Sequence, residues 1–559
     1  MIEMLGHLLV APIVLPLLSA AIIVALGDRR RPAACRAVSV GSCISLVLAA
    51  LYLLGWSLTG QPAAYEVGDW PAPYGIVLVL DRLAALMLLL TSLLAVAAVW
   101  FASGGSAVRW DTRGRHFHAL FQLQLMGLNG AFLTGDLFNL FVFFELLLIA
   151  SYGLMLHGGG VRRQRATLHY VVCNLVASLL FLLSVSLLYG VTGTLNMADL
   201  ALQVAAAPAE DASLLRSAGL ILLVVFAVKA AVLPLGFWLR DGYASASPAV
   251  ACLFALMTKV GVYAIVRTCT LMFGEEAGVA ANLAGEWLVP VGIATLAMAS
   301  IAALACRNLA ELVACLVVAS VGSILIGAGV FSPQGLSAAL FYMAHSTLAV
   351  ALLFLLAGEI AHERAALGSD LLPGPALMPG HLAPLFFFAA IAVAGLPPAS
   401  GFIAKVGILH GAVDGSWASG SWLAVLASSL LVVVALARAG SMLFWRPAAA
   451  SATASVTPPA TASAAAAAGL ASTRPPRVPA GPSWFLAAAL LVLTAGAGPV
   501  QQFMEATAAQ LLDPARYIEA VIRPDLVGPP DLIGPGTDRL RTQGVPDTVA
   551  PPAPVGRGT

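Results

Sequence analysis

Lysine is nearly absent from this chain: among 559 residues and 28 basic side chains only Lys229, Lys259 and Lys405 are lysine, and the rest are arginine. Charge of either sign is scarce too. Asp, Glu, Lys and Arg make up 10% of the residues against 60% hydrophobic, with mean hydropathy +0.94. This excludes an ordinary soluble domain, in which charged residues approach about a quarter of the chain. A net charge of +1 gives no hint of a nucleic-acid partner. The seven cysteines form no CxxC pair and lie mostly in apolar runs. They read as small core residues, so neither a disulfide, a metal site nor a redox cofactor is expected. No basic residue precedes the first apolar run, whereas Arg29, Arg30, Arg31 and Arg36 follow it. A cleavable signal peptide carries its positive charge in front, so this run is read as a spanning helix.

Apolar runs are what the chain has in abundance. Runs of the length needed to cross a bilayer fall near 7–27, 36–58, 77–103, 116–133, 136–156, 166–190, 214–240, 248–272, 286–305, 308–331, 334–360, 383–413, 417–445 and 483–505. The expected fold is therefore an all-α polytopic membrane protein of about 14 transmembrane helices. Arginines at 29–36, 109–115, 162–165, 240, 307, 364, 438, 446, 474 and 477 all follow or end odd-numbered runs, while acidic loops such as Glu66/Asp69 and Glu275/Glu276 lie at the other ends. Positive-inside reasoning then puts both termini outside, on the periplasmic face of a bacterial inner membrane. The Ala, Pro, Ser and Thr tract at 447–482 and the chain from 506 to 559 lack core-forming periodicity, and both are expected to be flexible.

All three lysines lie inside apolar runs. A lysine at mid-bilayer costs about 2.5–3.5 kcal/mol on insertion scales and usually faces a protein interior or a water-filled cavity. Unlike guanidinium, its ammonium gives up a proton when desolvated, so a proton carrier in low dielectric is lysine and not arginine. Pro234 interrupts the run that holds Lys229, and Pro397 and Pro398 interrupt the run that holds Lys405. Such breaks recur at ion sites in membrane helices. At about 1.5 Å per residue, both lysines fall roughly 7–10 Å on the outer side of their breaks. Glu145, Lys259 and His345 lie at similar depth. These five groups make a candidate row for lateral proton movement, in which Glu145 near Lys229 offsets the cost of burial and tunes proton release. Asp136, His410 and His169 are secondary candidates. Asp81, Arg82, Glu311 and Glu359 lie near span ends, where solvated charge is the expectation.

The stretches TGDLFNLFVFFELLLIASYGLM (134–155), KAAVLPLGFWLRDGY (229–243), LMTKVGVY (256–263), AHSTLAVALLFLLAGEI (344–360) and GLPPASGFIAK (395–405) together resemble a known family. It is that of the antiporter-like membrane subunits shared by Mrp-type cation/proton antiporters and respiratory NADH:quinone oxidoreductase, and the wording around Glu145 is most similar to its D-type branch. The resemblance implies three N-terminal helices (1–115) and two inverted-topology five-helix repeats (116–272 and 286–445), each with a broken helix, with 483–505 as the last span. It further implies that Glu145 and Lys229 form an ion pair, that Lys259 and His345 connect it onward, and that Lys405 is the exit lysine. Protons and monovalent cations would be the cargo, other membrane subunits and the lipid bilayer the partners. The alternative that the resemblance leaves open is a proton-pumping subunit of a quinone-reducing or hydrogenase complex.

Overall fold

The structure is a computed structural model that describes residues 2–104, 110–374, 377, 380–445 and 478–522. Two helices, α1 (Ile2–Leu26) and α2 (Pro32–Ser57), lead into an antiparallel hairpin, β1 (Ala63–Glu66) and β2 (Val77–Leu80), and then α3 (Arg82–Ser103). The run expected as a helix from 77 thus begins as a strand. Its residues VLVL, in which β-branched valine alternates with leucine, are extended, and Asp81 starts the helix by accepting from the Ala84 N–H at 2.8 Å. The next group is α4 (Phe117–Leu133), α5 (Leu137–Leu156), α6 (Val161–Thr192), a short α7 (Met197–Ala205), α8 (Ala212–Lys229), α9 (Phe237–Ser245), α10 (Pro248–Phe254) and α11 (Met257–Leu271). It is answered by α12 (Leu288–Ala305), α13 (Leu309–Ala328), α14 (Pro333–Glu363), α15 (Leu382–Ala394), α16 (Ser400–Gly411) and α17 (Ala418–Gly440). Last come α18 (Gly481–Ala495), α19 (Ala497–Leu512) and α20 (Ala515–Ile522).

Among the described residues, 11 helices are long and apolar enough to cross a membrane, counting α10 with α11 as one, or 12 if α18 and α19 are one span. The expected number, 14, is not reproduced, and the shortfall has physical reasons. Helix α4 has 17 residues, the 383–413 run is cut into α15 and α16, and the 483–505 run bends by 78° at Gly496. The chain after 506 is also not flexible throughout. Met504, Thr507, Ala508 and Leu511 recur at helical spacing and are buried, as are Tyr517, Ala520 and Val521 of α20. Residues 446–477, nearly all of the expected linker, and 523–559 lie outside the described residues.

The two groups are built alike. Where α5 begins, the Leu137 N–H bonds the Leu195 carbonyl at 2.9 Å and the Met197 N–H bonds the Gly135 carbonyl at 2.8 Å. Where α13 begins, Leu309 bonds Ser369 and Leu371 bonds Arg307 in the same crossed pattern, both at 2.8 Å. Asp136 faces Asn196 in one bridge; Asn308 faces Asp370 in the other. The residue that starts each helix also caps it, Asp136 accepting from Asn139 N at 2.7 Å and Asn308 from Ala310 N at 2.9 Å. The same device at the start of two helices far apart in the chain agrees with an internal repeat.

Candidate functional site

Helix α8 stops at Lys229, one turn earlier than Pro234 alone requires, and the chain stays non-helical through Gly236. Lys229 is therefore at the C-terminal end of a half-helix and not in mid-span. The last carbonyls of a helix lack N–H partners and carry its negative partial charge, which favours an ammonium there. Lys405 reaches the equivalent place from the other side of its break. It lies in α16, yet its Nζ donates to the carbonyls of Ala394 (2.9 Å) and Val393 (3.4 Å), at the C-terminal end of α15, and to Ser429 Oγ (2.9 Å) of α17. Gly395 makes room for it, since a Cβ there would come within 2.8 Å of Lys405 Cδ.

Glu145 and Lys229 are brought together, but not as a direct ion pair. Ser178 of α6 stands between them: its hydroxyl donates to Glu145 Oε1, and Lys229 Nζ donates to the same hydroxyl at 3.4 Å and to the Asn174 carbonyl at 3.5 Å. Lys229 is buried, with Phe144 beneath its ammonium at 6.0 Å, whereas Glu145 is half-buried. A cavity of about 20 Å³ lined by Phe144, Tyr170, Asn174, Lys229, Trp238 and Met257 adjoins the lysine. That is room for about one water. On the other side of the break, a larger cavity of about 310 Å³ lies against Ala231, Pro234, Thr295, Cys315 and Arg240.

Lys259 of the first repeat bonds the second. It is fully enclosed, and its Nζ donates to Ser320 Oγ of α13 at 2.7 Å. In the 248–272 run the helix gives way to a turn at Ala255 and Leu256, just before this lysine. Gly261 lets α11 press on the first break, because a Cβ there would lie 2.5 Å from the Ala230 nitrogen. Beyond Ser320, one turn along α13, Ser323 lies against the Tyr342 hydroxyl, and the Tyr342 ring sits 5.8 Å from that of His345. His345 Nδ1 bonds Ser400 Oγ at 2.8 Å; its Nε2, also buried, has no protein partner among the described residues. Ser400 opens α16, the helix of Lys405. The five expected residues thus occur in the order Glu145, Lys229, Lys259, His345, Lys405 across both repeats, with Ser178, Ser320, Ser323, Tyr342, Ser400 and Ser429 beside or between them.

The secondary candidates do not join this row. His410 and His169 are exposed. Asp136 caps α5, and burial pushes its carboxyl above the ordinary value against the pull of the N–H groups of Asn139 and Phe138. Among the span-end charges expected to be solvated, Asp81 and Glu359 are instead buried, 2% and 3% exposed. Asp81 pairs with Arg267 at 2.5 Å, and the Arg267 guanidinium packs on the rings of Tyr263 and Tyr517. Glu311 straps the two repeats together on the arginine-rich face, holding Arg162 at 2.6 Å and Arg240 at 2.7 Å.

A family profile described as NADH:quinone oxidoreductase/Mrp antiporter, TM, matches residues 134–435, which include every member of the row. The chain belongs to this family. A probable K(+)/H(+) antiporter subunit of the D type, from Rhizobium meliloti (strain 1021), is 40% identical over 93% of this chain and 98% of that protein. The D-type subunit of the Na(+)/H(+) antiporter of Alkalihalophilus pseudofirmus is 34% identical over 93% of this chain and all of its own length. Among solved structures, a chain of the Mrp complex from Dietzia sp. DQ12-45-1b superposes with a TM-score of 0.80 at 30% identity, covering 93% of this chain and 99% of that one. A chain of Thermus thermophilus respiratory complex I, at 24% identity and a TM-score of 0.71, covers 90% of this chain and 99% of that one, and shares the fold. Family membership accounts for the paired half-helices. It also makes the chain a multi-pass membrane protein of the antiporter family.

Proposed function

We propose that this chain is the D-type membrane subunit of a multisubunit antiporter, exchanging outside protons for internal potassium or sodium, the two cations that its relatives' names carry. The observation that carries the reading is the placement of Lys229 and Lys405, each buried beside a helix break, Lys229 as the last residue of α8 and Lys405 with its ammonium on the last carbonyls of α15. A proton reaching Lys229 neutralises no carboxylate directly; it shares Ser178 with Glu145, so a small shift of that serine connects or separates the two charges. Lys259 and His345 pass the proton between repeats through hydroxyl groups and transient water. The relatives are transporter subunits, which favours this reading over a subunit of a redox enzyme. Positive-inside reasoning puts both termini on the outer face of a bacterial inner membrane.

The test uses the intact complex in vesicles with an imposed pH gradient. Potassium or sodium should dissipate the gradient, and Glu145→Ala or Lys229→Ala should abolish that exchange while the partner subunits still co-purify. Full exchange in either assembled variant rejects the row.

A further inference from the structure

A proton row at mid-membrane needs a way out to each face, and the five residues above provide none toward the arginine-rich side. Three helices there share a layout. Helix α14 carries Glu359 near its C-terminal end and His345 fourteen positions earlier. Helix α15 starts after its N-cap, His381, and ends on the Val393 and Ala394 carbonyls that hold Lys405. Helix α18 carries Ser483 at its start and Thr494 near its end. The three pack on one another. At one level, the Glu359 carboxylate accepts from the Ser483 hydroxyl on one oxygen and meets His381 Nε2 at 2.8 Å on the other. At the other level, Thr494 Oγ1 accepts from the Ser400 N–H at 3.3 Å, Ser400 bonds His345, and Lys405 sits on the end of α15. With about 1.5 Å of rise per residue, the two levels are about 16–21 Å apart on all three helices.

Glu359 is 3% exposed, but the His381 side chain is 24% exposed and opens to the surface. Glu363, one turn further along α14, also acts on this carboxylate. Between the two levels every side chain of α14 from Leu348 to Ala357 is apolar. A carboxylate held only for stability is an expensive choice here, since a buried ion pair seldom outdoes apolar packing. A carboxylate with one partly exposed histidine partner, by contrast, can trade protons with the surface.

We propose that Glu359, seated between His381 and Ser483, is the group through which the second repeat exchanges protons with the arginine-rich face, and that the seam of α14, α15 and α18 is the route from there to His345 and Lys405. A proton from surface water adds to His381 Nδ1, the proton on Nε2 passes to Glu359, and from there it moves along transient water in the seam. The apolar stretch keeps that passage closed to larger ions, as a hydrophobic constriction does.

The inference rests on the proton-row reading, so its test is run beside Lys405→Ala in the same assembled complex. E359Q keeps the shape of the carboxylate, removes its charge and puts an amide donor in place of one acceptor oxygen. Its exchange rate should fall about a hundredfold or more, the scale of losing a positioned acid or base, with unchanged co-purification of the partner subunits. E359D should recover part of the rate. H381Q, at a partly exposed position that folding tolerates, should slow exchange several-fold and decides the matter if E359Q fails to assemble. Normal rates in assembled E359Q or in H381Q, with Lys405→Ala slow, overturn the port and leave the row standing. Normal rates in all three overturn both.

Discussion

The two repeats solve one problem with different chemistry. In the first, Lys229 ends its own half-helix and a carboxylate, Glu145, is one serine away. In the second, Lys405 crosses its break to reach the end of the opposite half-helix and is held by two carbonyls and the Ser429 hydroxyl, all neutral. Lys229 turns to the Asn174 carbonyl and the Ser178 hydroxyl of α6, whereas Lys405 uses the negative end of a helix to moderate the cost of burial. Only the first has a partner whose own charge changes with protonation. The difference points to a division of labour, in which the first repeat switches and the second receives.

Lys229 is where that comparison breaks most visibly. Lys229→Arg retains the charge and the reach, yet cannot release a proton. Exchange measured as cation-driven collapse of a pH gradient should fall on the order of a hundredfold, with assembly intact. Activity near normal in that variant would show that Lys229 acts as a fixed charge. Lys405→Ala should be nearly as damaging, at least about tenfold, because no other side chain among the described residues bonds the Val393 and Ala394 carbonyls.

Much of this is legible in the sequence, and the parts that are not share a cause. Three lysines inside apolar runs point to the row because a buried charge is costly wherever it lies in a membrane. Prolines at 234, 397 and 398 mark two of the breaks for a similarly local reason. The turn before Lys259 has no proline inside it, so no local residue signals it. Asp81 and Glu359 escape sequence reasoning because a position near a span end says nothing of what covers it: Arg267, 186 positions from Asp81, and Ser483, 124 from Glu359, arrive only through tertiary packing. The serines escape it because serine is common in membrane helices, where its hydroxyl bonds its own backbone. Ser178 differs only in what faces it.

Ser178 therefore sharpens the contrast at a finer scale. Ser178→Ala removes the hydroxyl that Glu145 and Lys229 share while leaving both charges, so the first repeat loses its link but not its members. Exchange should drop about tenfold, less than the usual loss of a positioned proton donor because water can partly replace the hydroxyl, and Ser178→Thr, which restores a hydroxyl, should recover much of it. Equal rates in the alanine and threonine variants would mean that water alone connects the pair.

The smallest effect is expected at Ser429. It is one of three oxygens around Lys405, and the other two are main-chain carbonyls that no substitution removes. A single hydrogen bond to a charged group contributes about 1.5–3 kcal/mol when nothing replaces it, but here the ammonium keeps two acceptors and lies beside a chain break that water can enter. Ser429→Ala should slow exchange only about twofold, well under about 1 kcal/mol by the usual conversion of rates to free energy. If Ser429→Ala instead matches Ser178→Ala, the neutral cage of the second repeat is as finely tuned as the charged pair of the first. The division into a switching and a receiving half would then have to be given up.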